Sequence, residues 1–563
     1  MALKPNPGML RNMKKLSHRW PEGAIVYQIY PRSFCDSNGD GVGDIPGIFE
    51  KLDYLKDLGV NAIWLSPFYP SPMADFGYDV ADYCDVDPIF GTLADMEELI
   101  SKAHQKDIRI IVDLVPNHSS DEHEWFRQSR QSSDGPYANW YVWHDQKGSD
   151  EKGNPLPPNN WVNVFSGDSS WKWEPSRQQF YLHSFHERQP DLNWSNPKVR
   201  EAIKDVMRFW LDRGVDGFRV DAVPFMAKDP KFRDDPKNPH YRPGKGNPYN
   251  AFLHKNSMAW PAVHAYLSEM ATVLKEDKYR NSGRFMVTEG YPQTDDTVTE
   301  YLSYYQGMDP EVAAPFNFEG LSLPWHAHPW REFLQKFHTA LDEFSLQCVP
   351  IYAFGNHDQH RLVTRLGEPA ARSAAVLLLT LPGMSFMYNG DEIGMKNGDI
   401  PTSMVQDPGA KGGTGRDPER TPMQWTGGQN AGFSIAHTTW LPVTDNYRTH
   451  NVEAELQDPD SYLSLYRGLG KLRNQSVALR YGTFKTFDTG NEAVLGYTRT
   501  LDNEESIILI NFSAKPQTLS LNSDTDFGTF MLSSSPKSKL QSIKADKLQL
   551  QPHEAVVFSR KTR

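Results

Sequence analysis

Short apolar runs recur along the chain, and most close on a polar residue that can do chemistry. AIVYQIYP begins at residue 24, VNAIWLSP at 60, IRIIVDLVPNH at 108 and GVDGFRVD at 214. GRFMVTEG follows at 283, VPIYAFGNHD at 349 and LPGMSFMYNGDEIGM at 381. With a further run near 311–318, these predict strands at 25–30, 61–65, 109–113, 217–221, 285–289, 313–318, 350–354 and 384–388. Helical patterns fall between them, at 46–58, 91–107, 198–212, 252–276 and 460–473. Strands that alternate with helices and end in polar residues belong to an α/β barrel or an open α/β sheet. A count of eight strands favours the closed barrel.

The alternation fails in four places. Residues 1–19 read as a polar arm. The stretch after the third strand is rich in Trp, Asn, Pro, Gly and Ser, and is too long for an ordinary βα loop. It reads as a small domain over the strand ends. Residues 224–250 form a second long, Pro-rich and charged loop with the character of a lid. Beyond 481, AVLGYTRT and ESIILINFS are short strands joined by polar turns. The expected architecture is a (β/α)8 TIM barrel over 20–114 and 191–480, with an inserted domain at 115–190 and a C-terminal antiparallel β-sandwich at 481–563.

Composition narrows the partners. The chain has 563 residues and a formal net charge of -12, which argues against a nucleic-acid backbone as ligand. No phosphate-cradling GxxxxGK[ST] run occurs. Cys35, Cys84 and Cys348 form no CxxC and no disulfide framework. The basic start lacks an apolar core and no run of about 20 apolar residues follows. A cytoplasmic protein without membrane contact is expected, as a monomer or homodimer.

Asp113, Asp221, Glu289 and Asp358 stand at strand ends, where a barrel would bring them to one face. Arg219 and Asp221 are two apart, so on a strand both point to the same side. Such a pair either caps a layer of the barrel or serves a site. No GxSxG supplies a serine nucleophile and no HExxH supplies zinc ligands. His118 and His357 each follow an Asn, a pairing suited to hydroxyl groups. Clustered carboxylates with aromatics fit glycosidic-bond chemistry. In DSNGDGVGD, Asp36, Asn38, Asp40 and Asp44 offer oxygens, and the Val42 carbonyl adds one more. That loop either wraps a hard cation or is a plain Gly-rich turn.

DLVPNH at 113–118, QPDLN at 189–193, GFRVDA at 217–222, TEG at 288–290, NHD at 356–358 and GRDPERTPMQW at 415–425 together resemble the α-amylase superfamily, glycoside hydrolase family 13. Within it the chain is most similar to the exo-acting α-glucosidase and oligo-1,6-glucosidase branch. The resemblance covers 20–563. It implies Asp221 as nucleophile, Glu289 as acid/base and Asp358 as transition-state stabiliser. Arg219 is then expected to hold the pKa of Asp221 down. It further implies that His118 and His357 bind ring hydroxyls and that Tyr78 is a stacking platform. Asp75 and Arg416 would clamp a terminal glucose, while Phe165, Phe185 and Gln189 line the aglycone side. The 36–44 loop matches the one that carries structural Ca²⁺ or Mg²⁺ in this branch.

The implied activity is a retaining exo-α-glucosidase that releases α-glucose from maltose and short α-1,4-glucosides, with no organic cofactor. Transglycosylation and sucrose or α-1,6 preference remain open, as does a catalytically silent binding subunit. Linkage turns on Ala222, directly after the nucleophile, where Val resembles the α-1,6 pattern.

Overall fold

Strands buried on both faces need near-continuous apolar runs, and each of the eight predicted runs forms one. In the computed structural model, which describes residues 19–344, 348–410, 413–520, 527–536, 538 and 547–561, they are β1 (Ile25–Ile29), β2 (Ala62–Leu65), β3 (Arg109–Leu114), β4 (Gly217–Val220), β5 (Phe285–Thr288), β6 (Ala313–Pro315), β7 (Ile351–Ala353) and β8 (Met384–Tyr388). Apart from Arg19, the expected N-terminal arm lies outside the described residues. The strands pair in parallel in the order β7-β8-β1-β2-β3-β4-β5-β6. A parallel bridge between Asn317 and Tyr352 links β6 back to β7 and nearly closes the barrel.

Register decides what meets at the C-terminal rim. Asp113 lies opposite Arg219 on β3 and β4. Val220 lies opposite Thr288 on β4 and β5. The next residue on each strand is a carboxylate, Asp221 and Glu289, so the two leave the sheet as neighbours at one level.

The helices between strands are amphipathic and well started. Pro197–Asp212 opens on Asn196, whose side chain accepts the Lys198 N–H at 3.0 Å, with Pro at the first turn. Its Val199, Ile203, Val206 and Trp210 are buried at helical spacing. Two helices differ from expectation. The run at 46–58 is two short helices, Ile45–Glu50 and Leu52–Asp57, because Lys51 leaves helical geometry at φ -101, ψ 6. The helix expected over 252–276 is only Ala262–Leu274. His254 and Ala259 adopt left-handed φ of 43 and 52, and Pro261 disfavours helix before it.

The region after β3 carries a three-stranded antiparallel sheet with Gln179–Leu182 central, between Trp143–His144 and Trp171–Glu174. It has its own small core of Trp161, Trp171, Phe180 and Leu182. The C-terminal part is a five-stranded antiparallel sheet covered by the pair Gln517–Ser520 and Lys547–Leu550. Leu519, Leu548 and Leu550 of that pair pack on Ile507, Val556 and Phe558 of the larger sheet. Among the described residues, no helix is long and apolar enough to cross a membrane.

Two buried arginines tie helix, barrel and sandwich together without any carboxylate. Arg473, in the helix Tyr462–Gln475, donates to the carbonyls of Gly23 (3.2 Å), Leu379 (2.8 Å), Leu381 (2.8 Å) and Gly383 (2.6 Å). Arg499, in the strand Val494–Leu501, donates to Thr380 (2.8 Å) and Gly482 (2.9 Å). Backbone carbonyls at chain reversals need such donors once they are buried. Arg473→Ala would orphan four acceptors and should cost about 3–5 kcal/mol, read as a lower urea midpoint with unchanged slope. A loss below about 1 kcal/mol would mean that water replaces the guanidinium.

Candidate active site

One guanidinium organises the rim. Arg219 is fully buried at the end of β4. Its Nη1 donates to Asp221 Oδ1 at 2.7 Å and to both Asp113 oxygens at 2.8 and 3.0 Å. Its Nη2 lies 2.7 Å from Glu289 Oε2. Trp64 Nε1 and the Tyr78 hydroxyl donate to Asp113 Oδ2 at 3.2 and 3.0 Å. Glu289 also accepts the Ala222 N–H at 3.0 Å. Ala222 itself is left-handed, at φ 48, ψ 37, a strain that clusters at functional sites.

Three carboxylates thus share one positive charge. Burial, reinforced by the negative charges of Glu289 and Asp113, raises the pKa of Asp221 well above the carboxylate range in spite of Arg219. Arg219 does pull Asp221 down as expected, but burial outweighs it, so the expectation of a low net value is corrected. Burial likewise lifts Asp113 to about 6, against the pull of Arg219.

Asp358, after β7, is placed in the opposite field. Its Oδ1 accepts from Arg420 Nη2 at 2.5 Å and from Arg416 Nη1 at 3.4 Å. Burial would raise it, but the positive field assigned to His357, Arg420, Arg416 and Arg219 holds it well below its usual value. Burial drives His357 itself down to about 3, so at neutral pH the arginines carry that field. His357 stacks on Tyr78 with ring centroids 5.3 Å apart and planes at 2°. This fixes one face of Tyr78 and leaves the ring in the cavity wall.

A second ion cluster stands in the same cavity wall. Arg416 Nη2 donates to Asp75 Oδ1 at 2.6 Å and to Asp407 Oδ1 at 2.7 Å, and its Nε to Asp407 Oδ2 at 3.0 Å. Burial works against the Asp407 carboxylate, yet Arg416 holds it down to about 2. Gln189 donates to Asp75 Oδ2 at 3.1 Å, and the Arg416 guanidinium covers Phe165 at 5.2 Å.

Between these clusters lies a cavity of about 330 Å³ with Asp221, Glu289 and Asp358 in its wall. Asp75, Tyr78, His118, Phe165, Phe185 and Arg416 also reach it. Gln189, Arg219 and His357 lie fully buried behind that wall. Asp407 and Arg420 escaped the sequence reading as site residues. Arg420 stands inside the GRDPERTPMQW run, but Asp407 lies in a loop with no periodicity to mark it. Tyr249, in the loop read as a lid, and Met258 and Tyr291, which gave no signal, also line the cavity.

The Asp36–Asp44 loop is oxygen-rich and tightly wound, with Gly39 and Gly41 at φ 83 and 93. Asp36 Oδ1 accepts from Asn38 N–H (3.1 Å) and Gly39 N–H (2.7 Å), and Asp40 Oδ1 accepts from Val42 N–H (2.8 Å). Asp44 caps the following helix through Gly47 N–H at 2.7 Å. Its all-oxygen donors suit a hard cation rather than a soft one. Among the described residues, however, no three His, Cys, Asp or Glu side chains are grouped to hold a metal ion.

Comparison with known proteins agrees with this geometry. Residues 28–482 match the model of the alpha amylase catalytic domain, and 494–557 match that of the alpha-amylase SusG C-terminal domain. An alpha-glucosidase of Apis mellifera is 40% identical over 519 residues, covering 90% of this chain and 88% of that protein. An oligo-1,6-glucosidase of Parageobacillus thermoglucosidasius is 38% identical over 579 residues, covering 96% and 98%. The solved structure of an alpha-glucosyl transfer enzyme superposes with a TM-score of 0.86 at 38% identity, over 97% of this chain and all of that one. With barrel, rim and relatives in agreement, the chain belongs to the α-amylase family, glycoside hydrolase family 13, as a glycoside hydrolase of the α-glucosidase group.

Proposed function

We propose that the protein is a retaining exo-α-glucosidase acting on maltose and short α-1,4-glucosides. The observation that carries this is the shared grip of Arg219 on Asp221 and Glu289 beside a cavity whose wall holds the Asp75–Arg416 pair. In this reading Asp221 attacks C1 of the terminal glucose while Glu289 gives its proton to the leaving oxygen. Glu289 then takes a proton from water, which attacks C1 and frees α-glucose. The cycle needs one proton shared between the two carboxyls. The attack requires that proton on Glu289 and an ionised Asp221. Asp358, ionised by its arginines, strengthens its hold on the ring as positive charge develops. The clamp at Asp75 and Arg416 reads the non-reducing end and stops a longer chain from continuing.

Relatives named alpha-glucosidase, oligo-1,6-glucosidase and alpha-glucosyl transfer enzyme stand at 38–40% identity, so linkage rests on the pocket. Ala222 supports α-1,4 because a methyl leaves room beside the scissile bond. Capture of the glucosyl intermediate by a sugar hydroxyl is the second reading, since it uses the same ester. Three carboxylates in one cavity argue against a silent binding subunit. At the 36–44 loop, Asp36, Asn38, Asp40, Val42 and Asp44 are proposed to hold one Ca²⁺ or Mg²⁺ that supplies rigidity and takes no part in the chemistry.

Asp221→Asn and Glu289→Gln should each lower kcat by about 10³-fold or more with the melting temperature preserved. Early NMR of the product should show α-glucose, and β-glucose would end the retaining mechanism. On maltose, maltotriose, isomaltose, trehalose and sucrose, kcat/KM should rank the α-1,4 substrates first. A tenfold preference for isomaltose, roughly the worth of one methyl group in a pocket, would reverse the linkage. Ala222→Val should shift the ratio toward isomaltose and lower the melting temperature, because a β-branched residue is disfavoured at φ 48. Chelation should lower the melting temperature while sparing kcat; unchanged stability with no ion in elemental analysis would remove the cation.

A further inference from the structure

The long loop after β4 does not hang free over the cavity. Pro224, Phe225, Tyr249 and Met258 of this loop line the cavity together with Val164 and Phe165 of the inserted region. The two segments are fastened at several points away from the chemistry. Lys228, buried at the start of the loop, donates to Asp191 Oδ2 at 2.6 Å and to Asn117 Oδ1 at 3.1 Å. The amide of Asn160 donates to the Asp235 carbonyl at 2.9 Å, and its Oδ1 accepts the Asp235 N–H at 2.8 Å. Trp161 Nε1 donates to the Arg233 carbonyl at 2.9 Å. Asn247 donates to the Val164 carbonyl at 2.8 Å. A Cβ added to Gly167 would lie 2.7 Å from Tyr249 N, so the backbones are in close contact there.

Phe232 is the centre of this seam. Its ring enters the aromatic core of the inserted region, 5.2 Å from His144, 5.6 Å from Trp161 and 5.9 Å from Trp171 between ring centroids. The backbone is left-handed there, at φ 50. A bulky residue adopts that geometry only where its surroundings over-determine it. Asp235, three residues on, gathers the far end of the loop: its Oδ1 accepts Asn256 N–H at 2.7 Å and Ser257 N–H at 3.3 Å. Those residues immediately precede Met258. The anchored segment thus leads directly into Met258, whose Sδ accepts the Tyr249 hydroxyl at 3.3 Å, and both residues line the cavity.

We propose that Phe232 is a positioning residue for the aglycone side of the cavity. It docks the β4 loop onto the inserted region, so that one rigid wall, built from both, receives the leaving sugar. This rests on the α-glucosidase reading and deepens it. The glycone side hangs from β4, β5, β7 and the Asp75–Arg416 clamp, none of which Phe232 touches.

The test compares maltose, which fills the aglycone side, with α-glucosyl fluoride, whose leaving group does not. Phe232→Ala should raise KM for maltose about tenfold while kcat/KM for the fluoride stays within about twofold of wild type. Phe232→Tyr, which keeps the ring, should restore the maltose KM. Asn160→Ala cuts the same seam from the inserted side and should move the maltose-to-fluoride ratio in the same direction, which decides the matter if Phe232→Ala fails to fold. Equal losses on both substrates, or an unchanged maltose KM, would overturn the proposal. Wild-type enzyme that turns over neither substrate would sink the underlying reading instead, and the proposal with it.

Discussion

Arg219 is the constraint from which the rim follows. A guanidinium with almost no exposure is tolerated only where hydrogen bonds and opposite charge surround it. Here Asp113 and Glu289 do so from the neighbouring strands β3 and β5 in parallel register, and Asp221 from the end of Arg219's own strand β4. One cation for three anions leaves an excess of negative charge that a proton or a developing oxocarbenium ion relieves. The strained Ala222 amide and the stacked Tyr78–His357 pair then fix the approach to those oxygens. The same imbalance explains why Asp221 and Asp358, both at strand ends, diverge: one faces carboxylates across a shared arginine, the other faces two arginines of its own.

Around this charged floor the cavity is walled by segments that have little regular structure. The β4 loop and the inserted region keep their shape through side chain-to-backbone hydrogen bonds and aromatic insertion rather than through long helices or sheets. Such walls vary without disturbing the barrel, which is how a common catalytic floor accommodates different leaving groups. Phe165 links wall and clamp, because it lies under Arg416 and beside Phe185.

The barrel was legible because strands buried on both faces leave unbroken apolar runs, and the carboxylates closing those runs marked the rim. The inserted region announced itself only as irregularity. What stayed hidden was set by tertiary contact. Asp407 looks like any loop Asp until Arg416 folds over it. The raised proton affinity of Asp221 arises from three strands meeting and cannot be read from the Arg219–Asp221 spacing. The break at Lys51 and the late start at Ala262 lie in stretches whose apolar spacing mimics a continuous helix. At Lys51 the backbone leaves helical geometry at φ -101, ψ 6, and before Ala262 it obeys Pro261 and left-handed turns at His254 and Ala259.

Arg473 and Arg499 change what the C-terminal sandwich is. Both arginines spend their donors on main-chain oxygens around the helix that precedes β8, and Arg499 comes from the sandwich itself. The tail is thus not an appended module but the supplier of a partner that the barrel's own turns lack. A barrel severed near its end would keep every residue of the catalytic rim while leaving the Thr380 carbonyl without its Arg499 donor. In evolution or in domain grafting, the two parts are expected to travel as one unit.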